Sequence, residues 1–489
     1  MTEEIAYNSA HALAERLRNK ELGALELCDY SIDRIERLDK HLNAVVVRDF
    51  ERAREAAKTM DNTPVEQRGV LGGMPITIKE SHNIAGLPTT WGIPEYKDVL
   101  AQEDAEIVKR YKNAGANFLG KTNVPINLAD FQSYNEIYGT TCNPWDLERT
   151  PGGSSGGSAA ALAAGFAALE TGSDIGGSIR NPAHFCGVYG HKPTHGIVPP
   201  QGHALPGSVA SPDIAVCGPL ARSAEDLALA MSIISGSEPL DAPGWQLHLP
   251  QPEKKSLSEF SVAVWSSDEQ SQVDAETQHK LTMVADVLRS SGAEVSFTAR
   301  PDFAVERSHR TYITLMQSIM GASVQEEVFQ HSKKLAAEFG PSDMSGPAIL
   351  ARAMAAEHRD WLRANNVREK LRYQWRDFFS QWDILLCPQM ATAAFKHDHS
   401  ESFSNRTIMV DGEQTPYFQQ VFWSGLITAS YLPSTVFPAG LTASEPVAGL
   451  PIGLQAVSAE YNDYITIDFC RLLAKEIGGF QAPAMDYAQ

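Results

Sequence analysis

Apolar positions recur at helical spacing from Ser9 to about residue 38 and again over residues 50–60, with charged positions between them. Serine is a favoured helix N-cap, so the pattern predicts a helical layer over residues 1–60 whose first long element starts at Ser9. The period then changes. Residues 74–79 (MPITIK) and 117–119 (NFL) are apolar runs of strand length, separated by a helical pattern over residues 104–113. That alternation predicts a sheet covered by helices. Residues 158–169 are nearly all small, which predicts a helix lying close against neighbouring backbone in the interior.

Helical patterns over residues 224–234 and 275–290 flank and interleave with strands at 261–264 and 293–297. Residues 305–381 read as mostly helical, with breaks at Gly340-Pro341 and Gly346-Pro347. Strands return at 384–387, 435–437 and 452–457, and a last helix covers residues 464–476. No internal repeat or low-complexity linker divides the chain. Its 489 residues allow two lobes or one large α/β domain with insertions. The 305–381 stretch is then expected to shape substrate access, because inserted elements vary around a fixed scaffold.

A hydrophobic content of 43% suffices for a large core, while a formal charge of −19 argues against nucleic acid or an anionic membrane as partner. A neutral or weakly polar small molecule is the more natural ligand. Six cysteines without CxxC spacing read as reduced thiols of a cytoplasmic protein. The start of the chain is charged and amphipathic rather than leader-like, and no window of 18 uninterrupted apolar residues suggests a membrane span.

The chemistry concentrates in PGGSSGGSAAALAAGFAALETGSDIGGSIR, residues 151–180. Glycine is poor in regular elements, so two glycine-serine clusters this close imply backbone that something must approach. A serine nucleophile must pass its proton to a base, and histidine, carboxylate or unprotonated lysine are all possible. In the second cluster Ile175, Gly176, Gly177 and Ser178 can point consecutive amides into one concavity beside a hydroxyl, as an oxyanion hole requires. The first cluster carries Ser154 and Ser155 on permissive backbone, which suits a proton relay.

These clusters, together with NPAHFCGVYGHKPTHGIVP after them and Lys79 in GMPITIKES, resemble the amidase signature family of amide hydrolases. The resemblance extends to GKTNVP at residues 120–125, SYNEIYGTTCNPWD at 133–146 and GLPIGLQAV at 449–457, and so covers nearly the whole chain. It implies an α/β fold: a single large domain, residues 1–489, with a central mixed β-sheet covered by helices on both faces. By the same resemblance Ser178 is the nucleophile, Ser154 a bridging serine on a cis peptide bond, and Lys79 the base. Burial beside Ile76 and Ile78 would lower the pKa of Lys79 in the direction a base needs. No metal or organic cofactor is implied, and a homodimer is common among related enzymes. One departure is Ile126, where many relatives carry glutamate.

Other readings are weaker. Ser155 formally satisfies G-x-S-x-G, but residues 147–151 (LERTP) read as a loop and not as the strand a nucleophile elbow needs. No lysine has a serine three positions before it, which removes an S-x-x-K site. Neither GxxxxGKS/T nor a post-strand GxGxxG occurs around the two glycine-serine clusters, so a non-catalytic small-ligand-binding protein is kept only as the rival of another class. His184, His191 and His195 are close in sequence but read as loop residues without a metal motif. Asp174 and Arg180 read as a structural pair that holds the turn. Phe131, Tyr134, Trp91 and Trp423 are candidates to line a substrate pocket. Within the family, the glutamine-hydrolysing component of the tRNA-dependent amidotransferase is the alternative, but its usual S-L-D-Q run is replaced by Ser211-Pro212-Asp213-Ile214-Ala215. A stand-alone hydrolase of a small-molecule amide, with esters or carbamates as further substrates, is therefore the expectation.

Overall fold

Ser9 accepts a hydrogen bond from the Ala12 amide and starts α1 (Ala10–Arg18), as its residue type predicts. The helical run does not continue as one element. Lys20 takes a left-handed φ of 59°, which ends the first ladder, and the chain restarts at Gly23 as α2 (Ala24–Leu42). The Asp61 carboxylate then accepts from the free amides of Ala24 and Leu25, tying α3 (Phe50–Asn62) to the start of α2. The computed structural model describes residues 3–322, 324–340, 343–400, 405–445 and 447–485.

Between these helices lies β1 (Val45–Arg48), a strand the apolar pattern does not announce. It pairs antiparallel with β3 (Asn117–Thr122), which runs parallel to β2 (Pro75–Lys79) after the crossover through α4 (Glu106–Asn113). Every residue of β2 is buried, Lys79 included. A two-residue hairpin, β4 (Tyr134–Asn135) with β5 (Gly139–Thr140), precedes the glycine-rich region.

The small-residue helix α5 (Gly156–Ala163) is shorter than its composition suggests, because Gly165 at φ 71° turns the chain and Leu169 already belongs to β6 (Leu169–Asp174). After it come α6 (Arg180–Cys186), β7 (Tyr189–Lys192), β8 (Val216–Ala221) and α7 (Ala224–Ile234). Then follow β9 (Ser261–Val264), α8 (Ala275–Ser290) and β10 (Glu294–Ser296). The helical stretch is α9 (Val305–Gly321), α10 (Glu326–Glu338), α11 (Gly346–Met354) and α12 (His358–Phe379). Gly346-Pro347 does not break a helix there; it opens α11, where proline's missing amide costs nothing. Of the other expected break, Pro341 lies outside the described residues. The chain ends through β11 (Ile384–Pro388), the hairpin β12 (Thr407–Val410) with β13 (Glu413–Pro416), α13 (Val421–Thr428), β14 (Ser434–Leu441), β15 (Pro451–Val457) and α14 (Asp463–Ile477).

Eight strands form the main sheet in the order β10-β9-β11-β15-β14-β7-β8-β6, parallel across β10, β9 and β11 and antiparallel beyond. Both faces are covered, and side-chain alternation shows how. On β11, Ile384 and Leu386 enter the large core that contains Leu281 of α8 and Ile467 of α14. Their neighbours Leu385 and Cys387 face the opposite way, toward Trp375 of α12 and Trp423 of α13. Strands buried on both faces lose the polar-apolar alternation that marks a half-exposed strand, which is why these runs read as continuously apolar. The structure is thus the α/β domain with a mixed, doubly covered sheet that the residues imply. Leu386 is fully buried, so Leu386→Ala should lower stability by about 2–5 kcal/mol, measured as a shifted urea midpoint at unchanged slope.

Candidate active site

Three stretches of chain converge at the end of β2. Lys79 is fully buried, and its Nζ donates to Ser154 Oγ at 2.6 Å and to Ser173 Oγ at 2.9 Å. Among the described residues no carboxylate touches the amine. Burial therefore pushes it down from the ordinary lysine range to about 7, opposed only at longer range by Cys217, Asp174 and Glu170. Glu170 is itself buried, and burial pushes its carboxyl up to about 7 while Thr122 donates to it.

Ser154 follows a cis Gly153–Ser154 peptide. The loop is pinned to α6, since the Gly153 amide donates to Asn181 Oδ1 at 2.9 Å. Gly152 adopts φ 91°, and a Cβ there would lie 2.7 Å from Asn181 Oδ1 and from Pro182 Cα, so no side chain fits. The next amide, Ser155 N–H, donates to the Ser178 carbonyl at 3.1 Å. That single bond brings the relay loop against the nucleophile candidate. Ser178 retains 7% exposure, and among the described residues its hydroxyl has no hydrogen-bond partner.

Asp174, at the end of β6, organises the turn that carries Ser178. Its carboxylate accepts from Gly177 N–H at 2.9 Å and Ile179 N–H at 3.1 Å, and pairs with Arg180 at 2.9 and 3.0 Å. Arg180, fully buried, spends its remaining donors on Thr428, Gln455 and the Ser424 carbonyl. This is the structural pair expected from the sequence. Of the four amides expected in the oxyanion cradle, that of Gly177 is engaged by Asp174. Those of Ile175, Gly176 and Ser178 have no protein acceptor among the described residues. The Ile175 carbonyl is turned away by Tyr312 of α9, whose hydroxyl donates to it at 3.0 Å. The two glycines matter differently: Gly177 sits at φ 113° with a would-be Cβ against Ser424, whereas Gly176 has room.

A family profile described as Amidase matches residues 26–467. The chain belongs to the amidase signature family. It is 31% identical to the indoleacetamide hydrolase of Bradyrhizobium diazoefficiens, over 96% of this chain and 86% of that protein. Against the human fatty-acid amide hydrolase 2 the identity is 30%, over 99% and 91% of the two chains. Among solved structures, the A component of the glutamyl-tRNA(Gln) amidotransferase of Thermotoga maritima superposes with a TM-score of 0.76 at 25% identity, covering 99% of both chains. Small-molecule amidases and an amidotransferase component thus share this framework.

The pocket residues of this amidase divide. Phe131 is buried beside Tyr312 and Met316, on the segment that packs against Gly153. Trp91 is partly exposed; its amide donates to Glu80 and its ring lies 5.2 Å from that of His203. Tyr134 accepts a hydrogen bond from Arg406 and stacks on His399 at 3.8 Å, so its polar end is already satisfied. Trp423, on the fully buried α13, packs edge-on to Trp265 inside the core. Two of the histidines after Ser178 are not on loops, contrary to what their glycine and proline neighbours suggest. His184 on α6 bonds the Gly453 and Thr392 carbonyls and His191 on β7 bonds Asp463 and Thr435, while His195, just past β7, stacks on Tyr431.

Sequence reasoning missed Ser173 and Tyr312. Ser173 had the signal of standing next to Asp174 within the glycine-serine region; Tyr312, far off in a helix, had none. Because Asp174 both compensates buried Arg180 and holds three backbone amides, Asp174→Ala should destabilise the amidase by roughly 3–5 kcal/mol and abolish turnover, read by thermal melting alongside an amide-hydrolysis assay.

Proposed function

We propose that this enzyme hydrolyses the C–N bond of a small, predominantly apolar amide through a Ser178 acyl-enzyme. The observation that carries the reading is the Lys79 Nζ–Ser154 Oγ contact at 2.6 Å, joined through the Ser155–Ser178 backbone bond to the turn bearing Ser178. Lys79 in its unprotonated form takes the proton of Ser154 as Ser154 takes that of Ser178, and Ser178 Oγ bonds to the amide carbon. The oxyanion is held by the unengaged amides of Ile175, Gly176 and Ser178. The relay returns the proton to the leaving nitrogen, the C–N bond breaks, and water cleaves the acyl-enzyme by the same path. Esters and carbamates offer the same acyl carbon.

The apolar preference is supported by what surrounds the turn. A Cβ on Gly176 would lie 3.4 Å from Tyr312 Oη and 3.9 Å from Met316 Sδ, and Ile175 packs on a cluster with Phe131, Ile319 and Met320. The helices over residues 305–381 supply most of that wall, in keeping with a role in substrate choice. Ser211-Pro212-Asp213-Ile214-Ala215 also supports a stand-alone hydrolase: Asp213 is consumed by Arg368 at 2.6 Å and by Tyr431 at 2.7 Å. Likeness to the amidotransferase component supports the second reading, glutamine hydrolysis within a complex. The six free thiols fit a reducing compartment such as the cytoplasm, and no helix among the described residues is long and apolar enough to cross a membrane.

A panel of short aliphatic, aryl and long-chain amides with glutamine and a carbamate tests the reading. Apolar amides should be turned over, and Ser178→Ala should lower kcat by roughly 10⁴-fold or more with substrate binding retained. Lys79→Ala should be comparably inactive, while Ser154→Ala should lose about 10²–10⁴-fold, the range of a proton-transfer contribution. Preferred hydrolysis of glutamine with co-purification of two partners would move the assignment to the amidotransferase. Unchanged turnover by Ser178→Ala would end it.

A further inference from the structure

One set of side chains beside the triad has no part in the mechanism. A ring nitrogen of His82, a ring nitrogen of His203 and the Cys217 sulfur all lie within 4.8 Å of one another, the one such three-donor group among the described residues. Among the described residues neither ring nitrogen of fully buried His82 has a hydrogen-bond partner, and buried Nε2 of His203 likewise has none. A buried imidazole left this way forfeits its hydrogen bonds to water without replacement, so it signals a missing ligand. The sulfur is fixed by the fold: Cys217 on β8 pairs directly with Ser173 on β6, and Ser173 is the second partner of Lys79. His82 is fixed by its amide, which donates to the Lys79 carbonyl at 3.1 Å. The two imidazole rings sit 4.8 Å apart at a tilt of 58°, and His203 stays partly exposed, which leaves an ion a way in.

We propose that His82, His203 and Cys217 bind a borderline-soft divalent cation, of which zinc is the best match, directly beside the catalytic lysine. Two imidazoles and a thiolate suit zinc, whereas magnesium and calcium demand oxygen donors. Tetrahedral zinc places its nitrogen and sulfur ligands roughly 3.3–3.6 Å apart. Since the three donors already lie within 4.8 Å of one another, side-chain swings of roughly 1 Å would bring them to that spacing. On binding, Cys217 releases its thiol proton to solvent and coordinates as thiolate. No spacing motif announces the site, because its donors come from the loop after β2, the loop before β8 and β8 itself.

The test uses the full chain stripped with EDTA. Equilibrium dialysis against zinc should show one ion per chain, weakened at least ~10-fold in His82→Phe and in Cys217→Ala, with folding checked by circular dichroism. Cobalt in place of zinc should give a thiolate-to-metal charge-transfer band in the near ultraviolet for wild type, lost in Cys217→Ala. Absence of that band in wild type overturns the proposal whether or not the variants fold. Stoichiometric zinc with an unchanged cobalt band in Cys217→Ala overturns it equally.

Discussion

The architecture turns on one constraint: an amine must be kept wholly out of water with only hydroxyls for company. Lys79 ends a strand whose five residues are all buried, and its Nζ meets Ser154 and Ser173, not a carboxylate. Paired with an acid, the lysine would stay charged and could take no proton. The nearest acids are otherwise committed: Asp174 to Arg180 and three backbone amides, Glu170 to Thr122 and the Thr171 amide. Neutralising those carboxylates locally is what leaves desolvation in command of Lys79.

The same economy explains the glycines. Backbone amides can converge on an oxyanion only if side chains do not fill the concavity, and Gly177 and Gly152 occupy positions that a Cβ cannot share with Ser424 or with α6. Asp174 then fixes the turn from below while Tyr312 holds the Ile175 carbonyl from the helical side. The sheet supplies one anchor and α9 the other, so the helices over residues 305–381 and the turn carrying Ser178 are mechanically joined.

Much of this was legible in the residues, for identifiable reasons. α7, β9 and α8 match their periodic patterns residue for residue because hydrophobic period and capping agree there: Ser223 and Asp274 both cap through their side chains. The stretches that meet around Lys79 and Ser178 were conspicuous because glycine and serine cluster where backbone must be special. The failures are equally physical. A single left-handed residue, Lys20, split a helix that periodicity joined. β6 was hidden by small residues continuous with α5, and β7 by glycines and histidines whose pairing in the sheet outweighs their weak strand propensity. Trp423 reads as a pocket candidate although an aromatic is more often core, and its neighbours place it in the core.

The central claim is that Ser178 is activated by Lys79 through Ser154, and its most direct test is covalent trapping. An alkyl fluorophosphonate should phosphonylate the protein once, with fluoride expelled, and peptide mass mapping should place the adduct on Ser178. Its rate should collapse in Lys79→Ala, since the attacking hydroxyl then has no proton acceptor. An adduct on Ser155, or labelling of Ser178 at the same rate without Lys79, would contradict the account.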